Sequence, residues 1–217
     1  MAKPISEYRK PEIVEATLKA INESGLPTPS YDRIAQHAGM SRQLIRHYFP
    51  DPEQLMVAVC DALAAAYRDA LMKGIIQAGS TERLPLFLDF YFNFLAGQGL
   101  RKPEDDAAYD AMFSLARGSE AVRQNLLEQY SELRQTIAQE VQVSNPGLSQ
   151  KACREIGFLF VSLMYGHWKM VATLGFSESH NRVTRQALDR IIESYSGRYD
   201  DPELDDPAST EPPIPRE

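Results

Sequence analysis

The sequence predicts an all-α protein, in which three short N-terminal helices form a helix-turn-helix domain that a long helix joins to a larger helical body. Apolar residues recur at three- and four-residue spacing along most of the chain, as they do in amphipathic helices. No run alternates between apolar and polar residues for long enough to indicate a strand. Prolines and glycines fall mostly between the periodic segments, where they separate one helix from the next.

The three N-terminal helices are marked by start and stop signals. The first is predicted to begin at Glu12, and Gly25 closes it as a C-cap. The second begins at Ser30 and the third at Ser41, because a serine hydroxyl can accept a hydrogen bond from the free amides of a first helical turn. Gly39 lies between these two helices, where the chain must reverse and a Cβ would be costly.

The longer helices begin at Asp51, a capping residue followed by Pro52 at the first helical position. Five further segments follow, separated by Gly, Ser, Pro and Asn. The predicted helices run over residues 12–24, 30–39, 41–48, 51–74, 82–96, 103–116, 120–143, 149–174 and 178–196. Residues 198–217 alternate prolines with acidic residues and contain little to bury, so this tail is predicted to be disordered. The chain therefore divides into 1–50, 51–197 and the tail.

Composition excludes several classes of protein. With 217 residues, 43% hydrophobic and 24% charged, the chain is of ordinary globular composition. Cys60 and Cys153 are too few and too far apart to indicate a disulfide scaffold or a four-ligand zinc site. No apolar run of 18 residues occurs, and the N-terminus is charged where a signal peptide would be apolar. We expect a cytoplasmic protein that spans no membrane and holds no metal or cofactor.

Charge is unevenly distributed along the chain. The formal net charge is −7, yet residues 1–50 carry a net charge of +2 and residues 51–217 carry −9. A basic N-terminal domain on an acidic body is compatible with nucleic-acid binding by that domain alone.

The third helix presents a polar face that suits the major groove of DNA. Apolar residues of the second and third helices can pack against each other, which leaves Arg42, Gln43, Arg46 and His47 on the opposite face. Arginine can form paired hydrogen bonds to guanine and glutamine to adenine, each pair discriminating by about 1–3 kcal/mol. The residues expected at the helix ends or flank, where hydroxyls meet phosphate oxygens, are Ser30, Ser41 and Tyr48.

Residues 9–63 resemble the DNA-binding domain of the tetracycline-repressor (TetR) family. Order and spacing agree without a gap. The residues that carry the resemblance are Ile13-Val14-Glu15-Ala16, Gly25, Ser30-Tyr31-Asp32-Arg33-Ile34-Ala35, Ala38-Gly39-Met40-Ser41, His47-Tyr48-Phe49, Glu53 and Leu55. The chain departs from the family pattern at Gln43, Leu44, Arg46 and Pro52. Gln43 and Arg46 therefore suggest an unusual operator, Leu44 could meet a thymine methyl, and a phosphate contact usual at position 52 is lost or replaced.

Large aromatic and flexible side chains are frequent in the body, where they can line an apolar cavity or simply form the core. The resemblance implies that the body encloses a site for a small-molecule effector. The candidate effector-binding residues are Phe87, Tyr91, Phe94, Tyr109, Met112, Phe113, Tyr130, Met164, Tyr165 and Trp168.

The last two predicted helices, 149–174 and 178–196, resemble the pair through which the family forms a homodimer. Residues 156–165 are apolar almost all round, so this segment must be covered on more than one side. The small residues Gly157, Ser162 and Gly166 would permit close approach of another helix.

The resemblance implies a ligand-responsive transcriptional regulator, and we expect a repressor that binds an inverted-repeat operator as a dimer and is released by its effector. The alternative is a helical protein-interaction adaptor whose helix-turn-helix does not bind DNA. Enzymatic function is not expected, since the sequence contains no Gly-rich phosphate loop, no His-Glu-x-x-His pair and no Gly-x-Ser-x-Gly elbow.

Overall fold

The computed structural model describes residues 5–25, 28–78 and 83–196, in which all regular structure is helical. The predicted all-α class is confirmed. The helices are α1 (Ile5–Ser24), α2 (Tyr31–Ala38), α3 (Arg42–Tyr48), α4 (Pro52–Ala78), α5 (Arg83–Tyr91), α6 (Asp106–Leu115), α7 (Glu120–Ser144), α8 (Gln150–Trp168) and α9 (His180–Ser196). The tail expected to be disordered lies outside the described residues.

Serine hydroxyls begin four of these helices. The Ser30 Oγ accepts a hydrogen bond from the Arg33 amide at 3.3 Å, and the Ser41 Oγ accepts one from Leu44 at 3.1 Å. Ser119 and Ser149 cap α7 and α8 in the same way. Each cap satisfies an amide that has no partner within its own helix, so these boundaries follow from sequence.

Some boundaries differ from those predicted. Helix α1 begins at Ile5 rather than Glu12 and contains Pro11; its first turns carry exposed side chains such as Tyr8, so apolar periodicity gave no signal there. Helix α5 ends at Tyr91 rather than near residue 96, because the chain turns at Asn93 with φ 63°, a left-handed conformation that asparagine tolerates. A 3₁₀ turn, Ala96–Gln98, follows.

Two clusters of buried side chains form the core. The first joins α1, α2 and α3 to the start of α4 and to α6 and α7; its members include Ile13, Ile34, Ile45, Phe49, Leu55, Val59, Met112, Val122 and Leu126. The second lies among α4, α5, α7, α8 and α9 and includes Phe87, Phe92, Ile137, Ile156, Phe160 and Leu188. The N-terminal helices therefore share their core with the body, and packing does not divide the chain at residue 50.

Helices α7 and α8 approach closely at Gly157. A Cβ at this position would lie 2.5 Å from the carbonyl oxygen of Arg134 on α7. This small residue is therefore used for packing within one chain, whereas a Cβ at Gly166 would meet nothing within 4 Å.

Among residues 5–25, 28–78 and 83–196, we find no helix that is both long and apolar enough to cross a membrane.

Replacing Gly157 by alanine is expected to lower the free energy of unfolding by about 1–3 kcal/mol, because the new methyl group must push α7 and α8 apart. Urea denaturation at a fixed protein concentration measures the change. Gly166→Ala in the same helix is the matched control and is expected to be neutral or slightly stabilising. Equal effects of the two substitutions would contradict the close approach at Gly157.

Candidate nucleic-acid interface and ligand cavity

Helix α3 is fixed to the protein by one side. Its Ile45 side chain is 0% exposed and belongs to the first core cluster, together with Ile34 of α2. Gly39 ends α2 in a left-handed conformation with φ 62°, and the Met40 amide donates to the Ala35 carbonyl at 3.2 Å. This tight turn sets the direction in which α3 leaves α2, and so decides which of its residues face outward.

The outward face carries the four side chains that the sequence predicted. All four are exposed, and their spacing places them on one face of the helix or at its edge: Arg42, Gln43, Arg46 and His47. Leu44 is partly buried beside them. Helix α3 therefore packs on the core by one side and exposes two guanidinium groups, an amide and an imidazole on the other.

Both guanidinium groups are oriented by α2. Arg42 Nη1 lies 3.3 Å from Asp32 Oδ2, and the Arg46 guanidinium lies 5.6 Å from the centre of the Tyr31 ring. The Tyr31 hydroxyl donates to the Phe49 carbonyl at 2.8 Å, so the ring itself is held in place. These contacts restrict the arginines before any partner binds, which lowers the entropy cost of using them.

The flanking positions have mixed roles. The hydroxyl oxygens of Ser30 and Ser41 accept the capping amides, and each hydroxyl keeps its proton to donate outward. Tyr48 is partly buried, and its ring meets the edge of His47. Lys10 of α1 lies 5.5 Å from the Phe49 ring and adds a positive charge beside α3.

A cavity of about 330 Å³ lies in the body among α4, α5, α6, α7 and α8. Seven of the predicted effector-binding residues line it: Phe87, Tyr91, Tyr109, Tyr130, Met164, Tyr165 and Trp168. Three others do not. Phe94 follows α5 and is 40% exposed, Met112 is buried in the first core cluster, and Phe113 packs behind Tyr130 and Tyr165.

Sequence reasoning missed one apolar wall and all of the charged side chains of this cavity. Helix α4 contributes Tyr67, whose ring stacks on Tyr91 with centroids 5.6 Å apart. Helix α4 was assigned only a connecting role, although the aromatic residue in its middle was a usable signal. The charged lining side chains are Arg68, Arg83, Lys102, Asp106, Glu132 and Lys169.

Lys102 forms a buried polar cluster at the inner side of the cavity. Its ammonium donates to the Pro103 carbonyl at 2.8 Å, to Asp106 Oδ2 at 3.1 Å and to Asp105 Oδ1 at 3.4 Å. The Tyr67 hydroxyl also donates to Asp105 Oδ1, at 3.1 Å. Burial raises the pKa of the Asp105 carboxyl to about 6, because the low-dielectric surroundings disfavour its charge more than Lys102 supports it.

The cavity tyrosines stay neutral over the ordinary pH range. Burial raises the pKa of Tyr67, Tyr91, Tyr109 and Tyr130, and the Asp105 carboxylate raises each of them further. Tyr67 donates its hydroxyl proton to Asp105, and the neutral hydroxyls of the other three can act as hydrogen-bond donors to a ligand.

Helices α8 and α9 are joined by polar contacts on their inner sides and carry exposed large apolar side chains on their outer sides. His167 of α8 contacts Asn181 and Thr184 of α9 at 3.0 Å each, and Asn181 donates to the Phe92 carbonyl at 3.1 Å. Phe158 and Val183 are nevertheless 58% and 57% exposed. Further exposed apolar side chains follow between the two helices at Met170, Leu174 and Phe176. Exposed apolar side chains of this kind are typical of surfaces through which chains associate.

Within the part of the chain that the structure describes, no three His, Cys, Asp or Glu side chains lie close enough together to hold a metal ion.

Comparison with known proteins gives concordant matches. Residues 13–59 match the model of bacterial regulatory proteins, tetR family. Over 176 residues the chain is 27% identical to the HTH-type transcriptional regulator BetI of Escherichia coli O17:K52:H18 (strain UMN026 / ExPEC), covering 79% of this chain and 86% of that protein.

Two solved structures share the fold. The first is a TetR transcription regulator from Haloarcula marismortui ATCC 43049, with a TM-score of 0.72 at 18% identity over 87% of this chain and 98% of that one. The second is a transcriptional regulator from Saccharomonospora viridis in complex with choline, with a TM-score of 0.65 at 19% identity over 86% and 96% of the two chains.

Asp105 is expected to make stability depend on pH. Its folded-state pKa of about 6 lies above the ordinary 3.8. The folded chain therefore binds this proton more tightly than the unfolded chain does. The resulting contribution to the free energy of unfolding is fully present below about pH 4 and is lost as the pH rises through about 6. The loss is at most about 3 kcal/mol.

Urea denaturation of the wild type and of Asp105→Asn between pH 4 and pH 7.5 measures this contribution. The wild type should lose stability relative to the variant as the pH rises. Asp69→Asn, at an exposed position of α4, is the control and should run parallel to the wild type. A constant difference between wild type and Asp105→Asn over this range would contradict the raised pKa.

Proposed function

We propose that this chain, a transcriptional regulator of the tetR family of bacterial regulatory proteins, represses transcription by binding an inverted-repeat operator as a homodimer. A small molecule then releases it from the operator. The observation that carries the proposal is the exposed face of α3. Arg42 and Arg46 project there from a helix that Ile45 holds in the core, and α2 orients both.

The proposed reading of DNA uses the side chains of this face directly. Arg42, Gln43 and Arg46 contact base edges in the major groove, and Leu44 meets a thymine methyl. Ser30, Ser41, His47 and Tyr48 contact the phosphate backbone, which fixes register without reading sequence. In a two-fold dimer the two copies of α3 contact operator half-sites whose centres lie about 34–36 Å apart, or a multiple of that distance.

Dimerisation is proposed to use the exposed apolar side chains of α8 and α9. Phe158 and Val183 lie on these helices, and an isologous contact would bring each patch onto its symmetry mate. The inner sides of the same helices are already fixed by Leu188 and by the contacts of His167, so the patch is presented on a firm base.

Communication between cavity and DNA is proposed to run through α4 and α6. Helix α4 has 27 residues, about 40 Å at 1.5 Å per residue. Leu55 and Val59 at its start belong to the core of the DNA-binding helices, and Tyr67 lines the cavity. On α6, Tyr109 lines the cavity and Met112 is buried in that same core. A ligand that moves either helix moves α3 with it.

The two binding events are therefore opposed in this proposal. The operator favours one separation of the two α3 helices and the effector another, so each ligand weakens binding of the other by the same factor. The choline complex of a solved relative supports a ligand site in a body of this fold. We place the protein in the cytoplasm, with access to the chromosome, and assign it binding rather than catalysis.

Arg42→Ala and Arg46→Ala are each expected to weaken binding to a genomic fragment selected by the wild-type protein by about 1–3 kcal/mol, because each removes paired hydrogen bonds to a base. Fluorescence anisotropy at fixed salt measures the loss. Arg101→Ala removes an exposed arginine of the body, which contacts Glu104, and should bind as the wild type does. Unchanged binding by both α3 variants would exclude this face as the reader.

Phe158→Glu is expected to weaken the dimer by about 2 kcal/mol or more, because an exposed aromatic side chain that the proposed dimer would bury is replaced by a charge. Sedimentation velocity over a concentration series measures the dissociation constant. Leu127→Glu on α7, another exposed apolar position, is the control and should leave the dimer intact. A dimer insensitive to Phe158→Glu would place the interface elsewhere.

A further inference from the structure

The cavity of this protein brings its own positive charges to its aromatic rings. The Lys102 ammonium lies 4.7 Å from the centre of the Trp168 ring, and the Lys169 ammonium lies 5.0 Å from the Tyr165 ring. The Arg83 guanidinium lies 5.9 Å from the Phe87 ring. All six of these side chains line the cavity.

A quaternary ammonium ligand is recognised mainly by the faces of aromatic rings. The faces of Trp168, Tyr165 and Phe87 are engaged by side chains of the chain itself, and the Tyr67 and Tyr91 rings cover each other. A cationic ligand would therefore compete with an internal cation at Trp168, Tyr165 and Phe87, which leaves Tyr109 and Tyr130 among the lining rings.

Displacement of Lys102 is unfavourable. Its side chain is only 6% exposed, and its ammonium has three oxygen partners, at Pro103, Asp105 and Asp106. Moving the ammonium into water would leave the buried Asp105 and the partly buried Asp106 without this partner, which is strongly unfavourable.

The charges of the lining also disfavour a cation. Arg68, Arg83, Lys102 and Lys169 line the cavity, against two lining carboxylates, Asp106 and Glu132. Both carboxylates are already paired, Asp106 with Lys102 and Glu132 with Arg68 at 3.9 Å, so neither is left for a cation. Arg83 is paired with Glu140, outside the lining, at 2.8 Å. Lys169 is paired with Asp110, outside the lining, and burial lowers the pKa of its ammonium because that charge is poorly solvated. An anion beside Lys169 would stabilise the charged form.

We propose that the cavity takes a small apolar carboxylate, with its hydrocarbon part among the aromatic rings and its charge at Lys169, rather than a quaternary ammonium ion. This inference rests on the proposed function, since it takes the cavity to be the effector site. The tyrosine hydroxyls donate to the second carboxylate oxygen. The volume of about 330 Å³ is at the lower end for small-molecule sites and fits one aromatic ring with a short side chain.

The test compares three probes of one shape that differ in charge: 3-phenylpropionate, 3-phenyl-1-propanol and trimethyl(2-phenylethyl)ammonium, with choline added as a fourth. Trp168 is the only tryptophan of the chain and lines the cavity, so its fluorescence reports binding to the full-length protein without DNA. We expect 3-phenylpropionate to bind at least about tenfold more tightly than the other probes, the equivalent of about 1.4 kcal/mol. Tightest binding by either ammonium probe, equal binding of all probes, or no binding of 3-phenylpropionate up to millimolar concentration would overturn the proposal.

Two lysine variants locate the charge. Lys169→Met should lower the affinity for 3-phenylpropionate about tenfold and leave that for the alcohol unchanged, whereas Lys73→Met, at an exposed position of α4, should change neither. Equal carboxylate affinity in wild type and Lys169→Met would contradict the assigned anchor. Lys102→Met should gain affinity for trimethyl(2-phenylethyl)ammonium, because the Trp168 face becomes free; if this variant does not fold, the Lys169 comparison decides.

A second measurement separates this inference from the proposed function. Operator binding is followed with and without saturating 3-phenylpropionate. Tight carboxylate binding without any effect on the operator would refute release by an effector and leave the ligand class standing. Release of the operator by choline, with no carboxylate binding, would refute the ligand class and leave the regulatory function standing.

Discussion

The three N-terminal helices are too small to bury a core by themselves, and the rest of the structure depends on this constraint. A segment of this size hides too little apolar surface to offset its conformational entropy. The core around Ile13, Ile34 and Ile45 is completed by Leu55 of α4, Met112 of α6 and Val122 of α7. Helix α3, the proposed DNA reader, is consequently positioned by residues of the body.

Sequence reasoning predicted which residues of α3 are exposed because their placement depends on local signals. The direction and the rotational phase of α3 are set by the capping residues Ser30 and Ser41, by Gly39 in a left-handed turn and by the buried Ile45. All of them lie within residues 30–45. The same holds for the all-α class and for most helix boundaries. Where a helix extended beyond its apolar pattern, as in α1 around the exposed Tyr8, or ended at a single asparagine conformation, as at Asn93, periodicity carried no information.

The cavity was only partly predictable for a physical reason. Large apolar residues at helical spacing are equally compatible with a core and with a cavity wall. Met112 and Phe113, which pack elsewhere, therefore gave the same sequence signal as Tyr109, which lines the cavity. Lys102 had none, because its burial follows from an irregular loop between α5 and α6 that brings it over Trp168. Charges placed on aromatic rings by tertiary structure are invisible to composition, yet they decide which ligands the walls accept.

Helix α8 does not end cleanly but widens into a π-helical turn, Lys169–Thr173, before the chain reaches the exposed Leu174 and Phe176. A π turn accommodates an additional residue in the helical backbone, so it changes the rotational phase of everything beyond it. Here the change of phase lies between Lys169, which lines the cavity, and the exposed apolar residues Leu174 and Phe176, which belong to the proposed dimer surface. The loss or gain of one residue in this turn would rotate the two surfaces against each other, and a lineage in which that happened would alter ligand chemistry and subunit geometry in a single step.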